Sequence, residues 1–162
     1  LAAENAALYK KYLATSEEMR KADYATLEQE NRDRWDAVNQ DINLLAQEIL
    51  QLERQLDTER RRFENTHRDR DGRLTADWFN QPRRIQLEGK IALARTQLEN
   101  RSRDRLRLAN AIRDVKREIE ARAQLRLQRL ATVNEAVRAI IAKDGAITVD
   151  QMTQRYETAL RK

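Results

Sequence analysis

The stretch HRDRDGRLTADW, residues 67–78, sets carboxylates and a glycine at the spacing of a calcium-binding EF-hand loop. With Gly72 at the sixth position of such a loop, Asp69 and Asp71 fall at the third and fifth, where hard oxygen ligands are needed. His67 then stands at the first position and Trp78 at the twelfth, so the bidentate carboxylate that closes the site is missing. Arg68, Arg70 and Arg73 would also repel a dication. The same frame around Gly145 has Asp144 at the fifth position but Ile140 at the first and Gln151 at the twelfth. Neither loop is expected to hold calcium. Asp71-Gly72, with Thr75 close behind, reads instead as a chain reversal driven by local backbone preferences.

Other reactive chemistry is thin. The chain has no cysteine and one histidine, His67, which removes thiol chemistry, disulfides and most zinc geometries. A lone histidine among charges has no oriented partner to make it a base. Carboxylate pairs such as Glu17 with Glu18, or Glu28 with Glu30, read as the solvated face of a helix. The arginine runs at 60–62 and 101–107 are interleaved with acids, and no aromatic lies between Phe79 and Tyr156 to stack a base. Nucleic acid is therefore not expected as a partner. No catalytic residue, metal or cofactor is expected either, because a pair of rods offers no enclosed apolar pocket.

The elements that position these residues follow from composition. Only 3 Gly and 1 Pro interrupt 162 residues that are 36% charged and 5% aromatic, so the chain reads as long helices and not as a thick-cored globule. From Trp35 the apolar residues step by three and four through Val38, Ile42, Leu45, Ile49, Leu52 and Leu56, then Glu59 and Phe63, as a coiled-coil seam does. A second seam runs through Leu87, Ile91, Ala94, Leu98, Leu108, Ile112, Val115 and Ile119, then by a step of four to Ala123, Leu127, Leu130, Val137 and Ile141. The fold class is all-α: a long antiparallel two-helix coiled-coil hairpin of roughly 90–100 Å with a short C-terminal helix, forming one elongated domain over 1–162. Helix one is expected at about 3–68, the tip at 69–82, helix two at about 83–143 from Pro82 onward, and the short helix at about 149–161. Gly145 is expected to end helix two, and Thr148 with Gln151 to form a capping box, with a candidate short strand at 146–149.

Placing the tip near Thr75 sets Leu98 beside Leu52 and Val115 beside Trp35. In that register Arg101 and Arg105 lie opposite Ile49 and Leu45, to snorkel, fix register or mark where a further chain packs. Residues 1–64 hold 10 Lys and Arg against 14 Asp and Glu, and residues 65–162 hold 22 against 13, so an acidic helix faces a basic one. Trp35, Ile42, Ile49, Leu56, Leu98, Ile112, Val115 and Ile119 form the seam, and a second copy of the chain is expected on the faces a two-helix hairpin leaves open. At the tip, Arg68, Arg70, Arg73, Trp78, Phe79, Arg83 and Arg84 form a basic, partly apolar knob. It plugs the end of the coiled coil, meets a partner protein, an unfolded chain or an anionic membrane surface, or does both. No run reaches the ~18 apolar residues of a membrane span.

Three segments carry a resemblance. ALYKKYLATSEEMRKADYATLEQENRDR (7–34), VNEAVRAIIAKDGAITVDQ (133–151) and MTQRYETALRK (152–162) are similar, in that order, to the outgoing helix, the returning helix and the closing helix of the periplasmic chaperone family Skp, also called OmpH. The resemblance implies an ATP-independent holdase for unfolded outer-membrane proteins, periplasmic and oligomeric, with the tip arginines and those of helix two meeting clients or lipid headgroups. The competing expectation is a structural or adaptor coiled coil of the cytoplasm, such as the FliJ-type stalk of secretion ATPases.

Overall fold

Two unbroken runs of strong helix formers become two unbroken helices. The computed structural model describes residues 1–161, and these form α1 (Ala2–Thr66), α2 (Pro82–Ala142) and α3 (Val149–Arg161), a long helical hairpin with a short helix after it. Pro82 opens α2, where its missing N–H has no intrahelical partner to lose. No helix among the described residues is long and apolar enough to cross a membrane.

The chain divides into two compact units. One comprises Leu1–Asn31 with Asn110–Lys162, the other Arg32–Ala109. In the first, α3 supplies a third helix. Tyr156, Met152, Leu130 and Val137 are all fully buried there. Tyr156 stacks against Tyr9 and Tyr12, with ring centroids 6.1 and 5.6 Å away. Its hydroxyl donates to Asn5 Oδ1 at 2.6 Å, and Asn5 Nδ2 donates to Asn134 Oδ1 at 3.0 Å, so the buried Asn5 amide and Tyr156 hydroxyl are paired. In the same unit, Arg20 and Tyr24 both donate to Glu120, holding its carboxyl below the usual range, the arginine bonds being the larger cause.

The segment expected as a strand is not one. Residues 145–148 are a link without regular structure, Val149 already belongs to α3, and no strand occurs among the described residues. A lone segment has no ladder to join, and Ile147 is buried by Val137 and Met152 without one. Thr148 and Gln151 do form the reciprocal capping box, each backbone N–H donating to the other's side-chain oxygen at 3.0 and 3.1 Å.

The end of α2 also departs from expectation in one respect. Asp144 N–H donates to Ile141 O and Gly145 N–H to Ile140 O, a Schellman pair whose left-handed residue is Asp144, at φ 54°, and not the glycine. Gly145 is required for space: a Cβ there would sit 2.6 Å from Ile140 Cγ2 and 2.9 Å from its carbonyl oxygen. Asp144→Gly is therefore expected to stabilise the chain by about 0.5–1 kcal/mol and Gly145→Ala to destabilise it by about 1–3 kcal/mol, both measured by urea denaturation.

The register of the hairpin is shifted from the expected one. Arg101 pairs with Asp41 at 2.7 Å, eight positions before Ile49, and Arg105 Nη1 reaches Asn39 at 3.3 Å, six before Leu45. The two arginines fix register through polar partners. The cause lies at the tip, where residues 74–81 fold against the last turns of α1, so that Arg83 of α2 meets Glu59 at 3.0 Å.

Along the seams, Ile49 and Ile119 are buried, Ile42, Leu56, Leu98, Ile112 and Val115 are half-buried, and Trp35 sits at the exposed edge. Beyond Ala123 the seam takes Arg126, 7% exposed, where Leu127 was expected; Leu127 is 38% exposed. A step of three from Ala123 keeps the three-four alternation into Leu130, and helix phase decides the position regardless of side-chain chemistry.

Candidate functional site

The reversal is built from side chains bonded to backbone. His67 O accepts the N–H and the hydroxyl of Thr75 at 2.7 and 2.8 Å, and Arg68 and Leu74 form an antiparallel bridge. Inside it, Asp69 Oδ1 accepts the N–H groups of Asp71 and Arg73, both at 2.9 Å, and Gly72 takes φ 79° to double the chain back. Asp77 repeats the device, accepting Phe79 N–H at 3.0 Å. The carboxylate at EF-hand spacing is thus committed to amides. No cluster of three or more His, Asp or Glu able to hold a metal occurs among the described residues.

The seven tip residues divide between folding and exposure. Trp78 is half-buried on Phe63, centroids 5.5 Å apart, and Phe63 in turn stacks on His67 at 4.1 Å, which makes Trp78 a plug on the end of α1. Arg83 is fastened to Glu59 and Gln86. Arg68 bonds Gly72 O and lies 3.8 Å from Glu64. Arg84 spans Glu88, the Phe79 carbonyl and the Phe79 ring, its guanidinium 4.0 Å from the ring centroid. Phe79 stays 63% exposed. Arg70 and Arg73 are exposed and make no ion pair among the described residues. The knob therefore offers a partner one aromatic face and two unpaired guanidiniums, fewer than its sequence suggests.

Unit 2 presents a larger surface along its length. Its buried apolar residues are Ile49, Leu87, Ile91 and Ala94 alone, and the rest of its seam is half-exposed because no third helix covers it. Leu44, Leu50, Leu93 and Leu106 are each more than half exposed. Leu44 and Leu45 line a groove of about 500 Å³ between α1 and α2 whose other walls carry Asp41, Glu48, Arg101 and Asp104. Sequence reasoning missed Leu44, Leu50, Leu93 and Leu106, since they lie off the seam's phase. The available signal was their being off-phase in otherwise strongly polar helices. Scans against protein-family models, curated proteins and solved structures give no match to this chain, and its own residues carry the functional reading.

Proposed function

We propose that the chain is a non-catalytic, polypeptide-binding hairpin: an ATP-independent holdase for unfolded outer-membrane proteins, acting in the periplasm. The observation that carries this reading is the uncovered seam of unit 2. Exposed leucines are dispersed among both signs of charge there, so an extended client meets many weak apolar and electrostatic contacts and no single deep pocket. Phe79, Arg70 and Arg73 extend the same surface at the tip. In the client's absence, a second copy of the chain would cover the open face. The second reading, a cytoplasmic adaptor coiled coil, is favoured by the lack of any strand among the described residues to build a sheet body for a cage.

Diluting a urea-denatured outer-membrane β-barrel protein into nucleotide-free buffer tests the proposal. An equimolar amount of the chain should suppress most of the light scattering. Replacing Leu44, Leu93 and Leu106 together by Ser should abolish the effect while helicity by circular dichroism stays unchanged. Undiminished scattering beside the parent chain sinks the holdase reading and leaves the adaptor, whose signature is a fixed-stoichiometry complex with one folded partner.

A further inference from the structure

Arg126 brings a charge into the core of unit 1 with no ion-pair partner among the described residues. It lies on the seam face of α2 at 7% exposure, and neither its Nε nor its Nη2 has a hydrogen-bond partner. These two nitrogens share one edge of the guanidinium plane, whose parallel N–H groups accept two oxygens of one carboxylate or phosphate. A buried guanidinium with that edge bare has lost hydration and gained nothing in exchange. Other interhelical arginines are answered: Arg20 by Glu120, Arg83 by Glu59, Arg101 by Asp41.

Arg126 lines a pocket of about 370 Å³, walled also by Arg122 and Arg129 of α2, Arg161 of α3 and the apolar side chains of Met19 and Leu160. No Asp or Glu lines it among the described residues. A carboxylate ligand would bring one charge in one plane. A phosphate monoester brings nearly two charges and three terminal oxygens set in different directions, which suits guanidiniums arriving from two helices. The pocket has room for a substituent beside the phosphate. We infer that this pocket binds a phosphate monoester, Arg126 gripping two of its oxygens through Nε and Nη2 while Met19 and Leu160 cover an apolar substituent. The inference is independent of the client-binding surface, which belongs to unit 2. A soluble ester and a lipid headgroup present the same dianion, and the test separates them.

Phenyl phosphate, titrated into the whole chain at constant ionic strength, should raise the melting temperature saturably, by about 5 °C at roughly a hundredfold excess over Kd. Arg126→Met, of similar length and without charge, should melt no lower than the parent in phosphate-free buffer and show no saturable response. Arg126→Lys keeps the charge without the two-pronged edge and should weaken binding by about tenfold, which keeps the test open if the Met variant fails to fold. Flotation with phosphatidylcholine vesicles containing phosphatidic acid forms the second arm. Flotation that Arg126→Met loses, without a response to phenyl phosphate, places the phosphate on a lipid; the opposite pattern places it on a soluble ester. If neither arm responds, or if parent and Arg126→Met respond equally as generic phosphate salting would produce, the site is overturned.

Discussion

Tyr156→Ala is expected to cost about 3–5 kcal/mol and to detach α3 from unit 1. The ring is fully buried, stacked on Tyr9 and Tyr12, and its hydroxyl is the donor that satisfies Asn5, itself 2% exposed. Truncation leaves a ring-sized cavity and a buried amide oxygen short of a donor, and a 13-residue helix has too little intrinsic stability to stay folded undocked. Tyr156→Phe keeps the stack and should cost only about 1–3 kcal/mol, the cost of the unmet amide. The aromatic residues provide the readout: all four tyrosines lie in unit 1 and both tryptophans in unit 2. The near-ultraviolet tyrosine signal should therefore collapse in Tyr156→Ala with tryptophan emission retained. Retained tyrosine ellipticity, with α3 amides still protected from exchange, would refute the docking.

Alkali gives the same unit a second signature. Burial, and then the neighbouring Tyr9, push the Tyr156 hydroxyl above its ordinary range; burial and the bond to Glu157 do the same for Tyr12. A phenol whose folded pKa is raised contributes stability that is complete below the unfolded value of about 10 and is lost as pH rises through the folded one. Unit 1 is thus the part that loosens above about pH 10, and Tyr156→Phe should blunt that loss.

What the sequence disclosed and what it hid divide along one physical line. Helix phase is local: Ile42, Ile49, Leu98 and Ile119 could be assigned to seams from spacing alone, as could the capping box at Thr148 and Gln151, because each depends on residues within a turn or two. Register depends on how a loop folds. The two Asx turns at Asp69 and Asp77, with Trp78 laid over Phe63, draw residues 74–81 onto α1 and displace α2 by two turns, which no count of residues between helices discloses. The glycine pattern misled in a related way. Gly145 was legible as a helix end, but the left-handed turn belongs to Asp144, since steric room at Ile140 is a three-dimensional fact. At the candidate site, Arg70, Arg73 and Phe79 stayed exposed as their types suggested, while Arg68, Arg83 and Arg84 found local acids or carbonyls. Arg126 was passed over because leucine at the next position is the cheaper residue to bury, and the phase of the helix overrode that preference.

Leu87→Asp is expected to abolish the folded state of unit 2, and Leu87→Ala to cost it about 2–5 kcal/mol. Leu87 is fully buried, one of only four buried apolar residues in that unit, with Ile49, Ile91 and Ala94. A two-helix pair has little else to lose: its interhelical ion pairs, Arg83–Glu59, Arg95–Glu53 and Arg101–Asp41, leave their arginines 39–63% exposed and add little in water. An aspartate at 87 would carry a charge into a fully buried seam position, and the loss of Leu87 uncovers Ile91 one turn on. Trp78 emission should shift to the red at lower urea in Leu87→Ala than in the parent, while tyrosine ellipticity holds to the parent's midpoint. Coincident shifts of both signals would mean that the units unfold as one. An unshifted tryptophan transition would mean that the hairpin does not depend on this seam, and the face proposed to bind polypeptide would lose its structural basis.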